Sequence, residues 1–255
     1  MYTSAEIPML NDTSTGRKAR HAFRLFSFLI ALAILISTTQ AFGQQNYVGR
    51  FDAYAGYMYL NSPHINLGEN GFHIQTGVRV VRWMSLGFDH SRGTGDTIIT
   101  PDMLLPALQQ SLGAQLAALV AAGKIPPTYV LTVPISSVTQ TITGGPQFSY
   151  HRWKAITPFI RPAIGMIHEV ATTHPGDPIA AAIVAQLAPG GTKEDWTKFI
   201  GVGGGADLNI TRHFALRLSV DIVRDHLFND LLKDARNTVR FSIGPALQFG
   251  KNVRK

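Results

Sequence analysis

Large apolar residues alternate with small or polar ones along most of this chain. The clearest stretch is the last, where Val239, Phe241, Ile243, Pro245, Leu247 and Phe249 alternate with Arg240, Ser242, Gly244, Ala246 and Gln248. Successive strand side chains point to opposite faces, so this predicts a strand with one apolar and one polar face. The pattern recurs, less cleanly, at 51–59, 72–80, 84–88, 142–150, 160–166, 200–210 and 214–222. Together these segments predict about eight strands, each near the ~10 residues that a tilted membrane strand needs.

The connections between them alternate in length. Short links are expected at 81–83, 151–156 and 211–213, and long ones at 61–70, 93–138, 172–196 and 228–237. A soluble sandwich has no reason to sort its loops in this way, whereas outer-membrane barrels have short periplasmic turns and long outer loops. The expected fold is therefore all-β, an antiparallel transmembrane β-barrel of about eight strands. With an even strand number both ends of the mature chain lie in the periplasm. Aromatics fall where the strands meet the membrane boundary. Trp83, Trp153, Phe214 and Phe249 lie at the periplasmic ends; Tyr57, Tyr59, Phe72, Phe88, Trp196 and Phe228 lie at the outer ends. Amphipathic rings favour that boundary.

Two of the long loops change period. From 102 to 122, Met103, Leu104, Leu105, Leu108, Leu112, Leu116, Leu119 and Val120 recur at spacings of three and four, which predicts a helix. A shorter helix is expected from Asp177 as cap and Pro178 in its first turn, through Ile179, Ile183, Val184 and Leu187, stopping at Pro189-Gly190-Gly191. Such leucine content suits helices packed on each other and over the barrel mouth. A docking surface for an apolar ligand, a lipid or a partner is the sharper alternative.

The N-terminus reads differently again. Arg17, Lys18, Arg20 and Arg24 precede an apolar run from 25 to 36, and Ala41-Phe42-Gly43 follows. That is the build of a secretory signal over 1–43, with cleavage after Ala41 or Gly43, and the run is short for a spanning helix. The outer-membrane barrel domain is then 44–255. The chain has no cysteine, which excludes a disulfide framework and a lipidated N-terminal cysteine. Of its 23 basic and 16 acidic residues, the signal carries four and two, leaving 19 against 14. These bases are scattered rather than striped, so nucleic acid is a poor partner.

Phe51-Asp52-Ala53-Tyr54-Ala55-Gly56-Tyr57-Met58-Tyr59-Leu60 resembles the first strand of small outer-membrane barrels of the OmpA/OmpX kind. The alternation ending at Phe249 is similar to the C-terminal signal that barrel-assembly machinery reads in that class. There the aromatic usually closes the chain; here Gly250 to Lys255 follow. The resemblance implies a barrel in outer-membrane lipid, inserted by that machinery, and specifies no activity.

On this register Asp52, Arg79, Asp89, Arg161, Glu169, Asp207, Arg217, Asp221 and Arg240 project inward. An eight-stranded barrel is just wide enough to be filled by side chains, and unpaired buried charges are costly. These residues are expected to form a plug of ion pairs, with Arg217 and Asp221 in one network; a narrow ion path is the alternative. A charge introduced at Ser242 is expected to be milder than one at lipid-facing Ile243. Gly201-Val202-Gly203-Gly204-Gly205 lacks the helix that a phosphate loop requires, and its glycines suit bending and close packing in a strand. Asp89-His90-Ser91, Asp225-His226 and His64 lie near the outer rim, where membrane barrel enzymes such as the lipid A palmitoyltransferase and the omptins place their catalytic groups, but no acyl-transfer motif accompanies them. The expected function is envelope-structural or surface-interacting and non-enzymatic, with no cofactor and no metal. The alternative is a conduit or binding protein for small or apolar molecules.

Overall fold

The computed structural model describes residues 45–233 and 236–253. The expected signal segment lies outside the described residues. Eight antiparallel strands close into a barrel in chain order: β1 (Gly49–Ser62), β2 (Leu67–Val81), β3 (Met84–Ile99), β4 (Val133–Ser149), β5 (Ile156–Thr173), β6 (Thr192–Asn209), β7 (Phe214–Asp225) and β8 (Arg236–Asn252). Each strand pairs with its neighbours in sequence, and β1 meets β8 with Phe51 opposite Phe249 and Tyr57 opposite Ile243. A closed ladder satisfies backbone N–H and C=O groups without water, as lipid surroundings demand.

The outward face between the two ends is apolar. Ile74, Leu86, Ile142, Ile160, Ile164, Ile200, Val220 and Ile243 are all exposed there. Nine of the ten aromatics expected at the boundaries are also exposed, some in pairs: Phe51 stacks on Phe249, Trp83 on Phe148, and Trp196 on His168. Phe228 is the exception among the aromatics first assigned to the boundary. It is buried under the loops, because the chain beyond β7 turns inward across the mouth.

The strands are longer than their apolar patterns predicted, running from 12 residues in β7 to 18 in β5 and β6. At ~3.3 Å per residue and a tilt of ~45°, an 18-residue strand rises about 42 Å, against an apolar band of ~25 Å. The surplus lies at the end bearing the long loops. There the outward residues turn polar, as at Arg92, Gln140 and Glu194, while the ladder continues through Arg92–Gln140 and Val170–Glu194. The outward apolar alternation ends there; the hydrogen bonding does not. For the same reason the link expected at 61–70 shrinks to a single turn of 3-10 helix, Pro63–Ile65, closed by Asn66 in the left-handed region.

Two helices form in the remaining loops. The first, α1 (Pro106–Ala121), starts later than the pattern from 102 predicted. Pro106 holds Leu105 extended, at ψ 144°, and so marks the start, while Pro101–Met103 makes its own 3-10 turn. The second, α2 (Pro178–Leu187), is capped by Asp177, whose carboxylate accepts from the amides of Ile179 and Ala180.

The barrel contents divide into two layers. Nearer the short turns the interior is charged. At the loop end an apolar core forms from Ile65, Leu67, Leu104, Leu112, Leu131, Ile183, Leu227, Phe228 and Leu232, with Leu108 and Leu116 of α1 and Ile179 and Leu187 of α2 against it. Thus α1 and α2 share one core over the barrel mouth.

Candidate functional site

Asp52, Arg79, Asp89, Arg161, Glu169, Asp207, Arg217, Asp221 and Arg240 are all buried inside the barrel. Eight of them form two compact sets, each with two arginines and two aspartates. In the set nearer the short turns, Arg217 grips Asp207 with Nε at 2.7 Å and Nη2 at 2.9 Å. Its remaining nitrogen donates to Gln75 Oε1 at 2.8 Å and stands 3.8 Å from Asp52, which Arg79 also approaches at 3.8 Å. The guanidinium lies over the rings of Phe159 and Tyr54, at 5.0 and 5.6 Å. Asp207 and Arg217 face each other directly across the β6–β7 ladder, so the strand register presets this pair.

The second set lies one step toward the loops. Arg161 bridges Asp89 at 2.8 Å and Asp221 at 2.9 Å. Arg240 takes the other oxygen of Asp221 at 2.9 Å and donates to Ser91 and Thr141 at 3.0 and 3.1 Å. His73 joins them, 3.6 Å from Asp89 through Nε2 and 3.0 Å from Ser242 through Nδ1. Four arginines thus face four aspartates across the two sets, and the charges balance. Arg217 and Asp221 do not pair directly: Asp221, four residues further along β7, pairs with Arg161 and Arg240. Glu169 is also separate. It sits nearer the loops, accepting from Ser137 Oγ at 3.1 Å.

Glycine makes room for the plug. A Cβ on Gly203 would stand 1.8 Å from Asp221 Oδ1, and one on Gly77 2.7 Å from Asp52 Oδ2. The glycine run of β6 therefore serves close packing.

The turn end is closed by residues that sequence patterning missed. Gln45, ahead of β1, accepts from Thr157 through Oε1 at 3.1 Å and meets His151 Nδ1 at 2.9 Å. His151 Nε2 lies 3.3 Å from Arg79. Arginine only donates, so Nε2 accepts and Nδ1 carries the proton toward Gln45. Burial, then the charges of Arg79 and Arg82, push the His151 imidazole down to about 3, so it stays neutral.

At the other end three loops are stitched together. Leu104 bridges Leu232, with Leu105 N–H donating to Leu231 O at 2.8 Å. Tyr129 donates to both oxygens of Asp177 at 3.0 and 2.9 Å, which ties the long loop to the cap of α2. Lys193 of β6 pairs with Asp230, and the Asp195 carboxylate accepts from Phe228 N–H at 2.6 Å.

The chain is similar to several solved small outer-membrane barrels. Ail, the attachment invasion locus protein of Yersinia pestis, aligns with a TM-score of 0.46 and 11% identity over 79% of this chain and 99% of its own. OprG of Pseudomonas aeruginosa aligns at 0.44 and 9%, over 82% and 100%, and Neisserial surface protein A at 0.43 and 11%, over 78% and 96%. No protein-family model matches the sequence, and no curated relative does.

The rim residues with chemical potential are dispersed. Asp89 and Ser91 point into the plug, while His90 is directed outward, its ring against Phe72 and Nδ1 3.1 Å from Thr141 O. Asp225 is buried, where it accepts from Leu227 N–H and Thr238, whereas His226 is exposed on the outer surface. The Ser242–His73–Asp89 chain has the residue types of a nucleophilic triad, but all three are buried in the plug, among arginines that occupy the aspartate. The arrangement holds charge in place, and Ser242 is buried within it.

Proposed function

We propose that this chain is a barrel of the Gram-negative outer membrane, closed to solutes and without catalytic activity, that presents its ordered loop cap at the cell surface in an envelope-structural or surface-interacting role. The observation that carries this reading is the plug: among the buried charges, four arginines and four aspartates lie in two sets, with every arginine within 4 Å of an aspartate across a narrow barrel. A hydrated passage would leave such groups solvated instead of fixing them in pairs. The outward apolar face fits acyl chains as the partner, and assembly of such a barrel calls on insertion machinery; the charge pattern gives nucleic acid no footprint.

Two measurements test this together. Membrane fractionation with heat-modifiable gel migration should place a folded barrel in the outer-membrane fraction. The refolded protein in planar bilayers should show no stepwise conductance. Steady channels from the wild type would overturn the closed reading, and a soluble, heat-insensitive product would overturn the membrane reading.

A further inference from the structure

Between the ion-paired plug and the loop helices lies a cavity of about 110 Å3. Its walls are mainly apolar and come from distant parts of the chain: Ile99 at the end of β3 and Leu104 after it, Leu131 before β4, Ile183 and Leu187 of α2, and Phe228 after β7. The two charged residues that reach it are already engaged, Glu169 with Ser137 and Lys193 with Asp230. Water in a protein interior needs several polar partners, which these walls do not supply, so the space favours an apolar occupant. An engineered cavity of ~150 Å3 with similar lining stays dry and takes up benzene, which sets the scale of ligand.

Phe228 gives an independent observation at the same place. It holds φ at 51°, in the left-handed region that a bulky residue rarely adopts, and its ring is buried against the cavity. The Asp195 carboxylate fixes that backbone by accepting its N–H. Strained backbone of this kind concentrates where a surrounding structure fixes a functional geometry. Access is one-sided. The charged plug fills the turn end, while α2 and the β7–β8 loop form a cover held partly by side-chain ties, among them Tyr129–Asp177 and Lys193–Asp230.

We propose that this cavity is a binding site for a small neutral apolar molecule of hydrocarbon character, admitted from the loop side beneath α2. The apolar lining favours a neutral ligand, and on the closed-barrel reading the site is one of retention and not of transport. The proposal goes beyond the closed-barrel reading. Its failure would leave that reading intact, since conductance and fractionation do not depend on the cavity.

The test uses the full mature barrel in lipid nanodiscs, with hexafluorobenzene as probe and 19F NMR as readout. The wild type should give a saturable bound signal, absent from protein-free nanodiscs and displaced by benzene. Ala171→Phe and Ala188→Leu each add bulk at the cavity wall and should abolish that signal while keeping heat-modifiable migration. A bound signal unchanged in folded filling variants would overturn the proposal. So would a wild type showing only lipid-partitioned probe, a result that depends on neither variant.

Discussion

Arg217 is the most exposed test of the plug's energetics. Its side chain is fully buried, forked onto Asp207 at 2.7 and 2.9 Å, and within 3.8 Å of Asp52. Arg217→Met removes the charge while retaining much of the volume, and leaves the set with Arg79 facing two aspartates. Breaking a buried pair from one side costs about 3–5 kcal/mol, because the partner keeps its burial and loses its counter-charge. Asp207→Leu alone strands the arginine and should cost a similar amount. Together the two substitutions leave Arg79 with Asp52, a balanced remainder, and the loss should fall well below the sum. A coupling energy of ~2 kcal/mol or more is expected, within the range found for residues in direct contact. Urea unfolding in lipid vesicles, followed by tryptophan fluorescence, measures all four proteins. Additivity to within ~0.5 kcal/mol would refute the reasoning, since independent effects mean that solvent already screens the pair.

The lipid and plug faces of β8 should respond differently from the expectation drawn from patterning alone. Ile243→Arg puts charge on the exposed apolar face and should cost about 2–4 kcal/mol near mid-membrane; Ser242→Arg should prevent assembly, because Ser242 is buried against His73 beside two arginines. Refolding yields of the two variants decide between them. Gly203→Ala should destabilise the barrel by roughly 1–3 kcal/mol, the usual cost of overpacking, read from the same urea curves. Asp177 supplies a pH test in the cap. Hydrogen bonds from the Ala180 amide first, with Tyr129 and the Ile179 amide, hold its carboxyl below the ordinary range. A lowered folded value means that the stabilisation is present above the unfolded value and lost as pH falls through the folded one. Hydrogen exchange at Ile179 and Ala180 should therefore accelerate only under strong acid, and at neutral pH in Asp177→Ala.

Period two made the membrane-facing part of each strand legible, because lipid outside and a polar plug inside impose opposite chemistry on alternate residues. The Asp177 cap and Pro178 start of α2 were legible too, since both act through local backbone chemistry. Three things were not. Beyond the apolar band the outward face of β3 to β6 becomes polar, so Gly93 to Ile99 and Val133 to Val138 read as loop although they continue the ladder. The grouping of charges into two sets depends on register around the whole barrel, from Asp52 on β1 to Arg240 on β8, which no single segment encodes. Gln45 and His151 close the turn end through contacts between residues more than a hundred positions apart, and neither belongs to an alternating stretch.

The cap core has a consequence for assembly. Its members come from the β1–β2 turn, the loops after β3, β5 and β7, and the strands beside them. The β3–β4 and β5–β6 hairpins hold much of it, but Ile65 lies in the β1–β2 turn and Leu227, Phe228 and Leu232 lie beyond β7, so the full core draws on both ends of the strand order. The outer face can therefore be completed only after β1 has met β8. Loop order becomes a report on seam closure, and a partly zipped barrel would show surface proteases the very leucines that the finished one conceals.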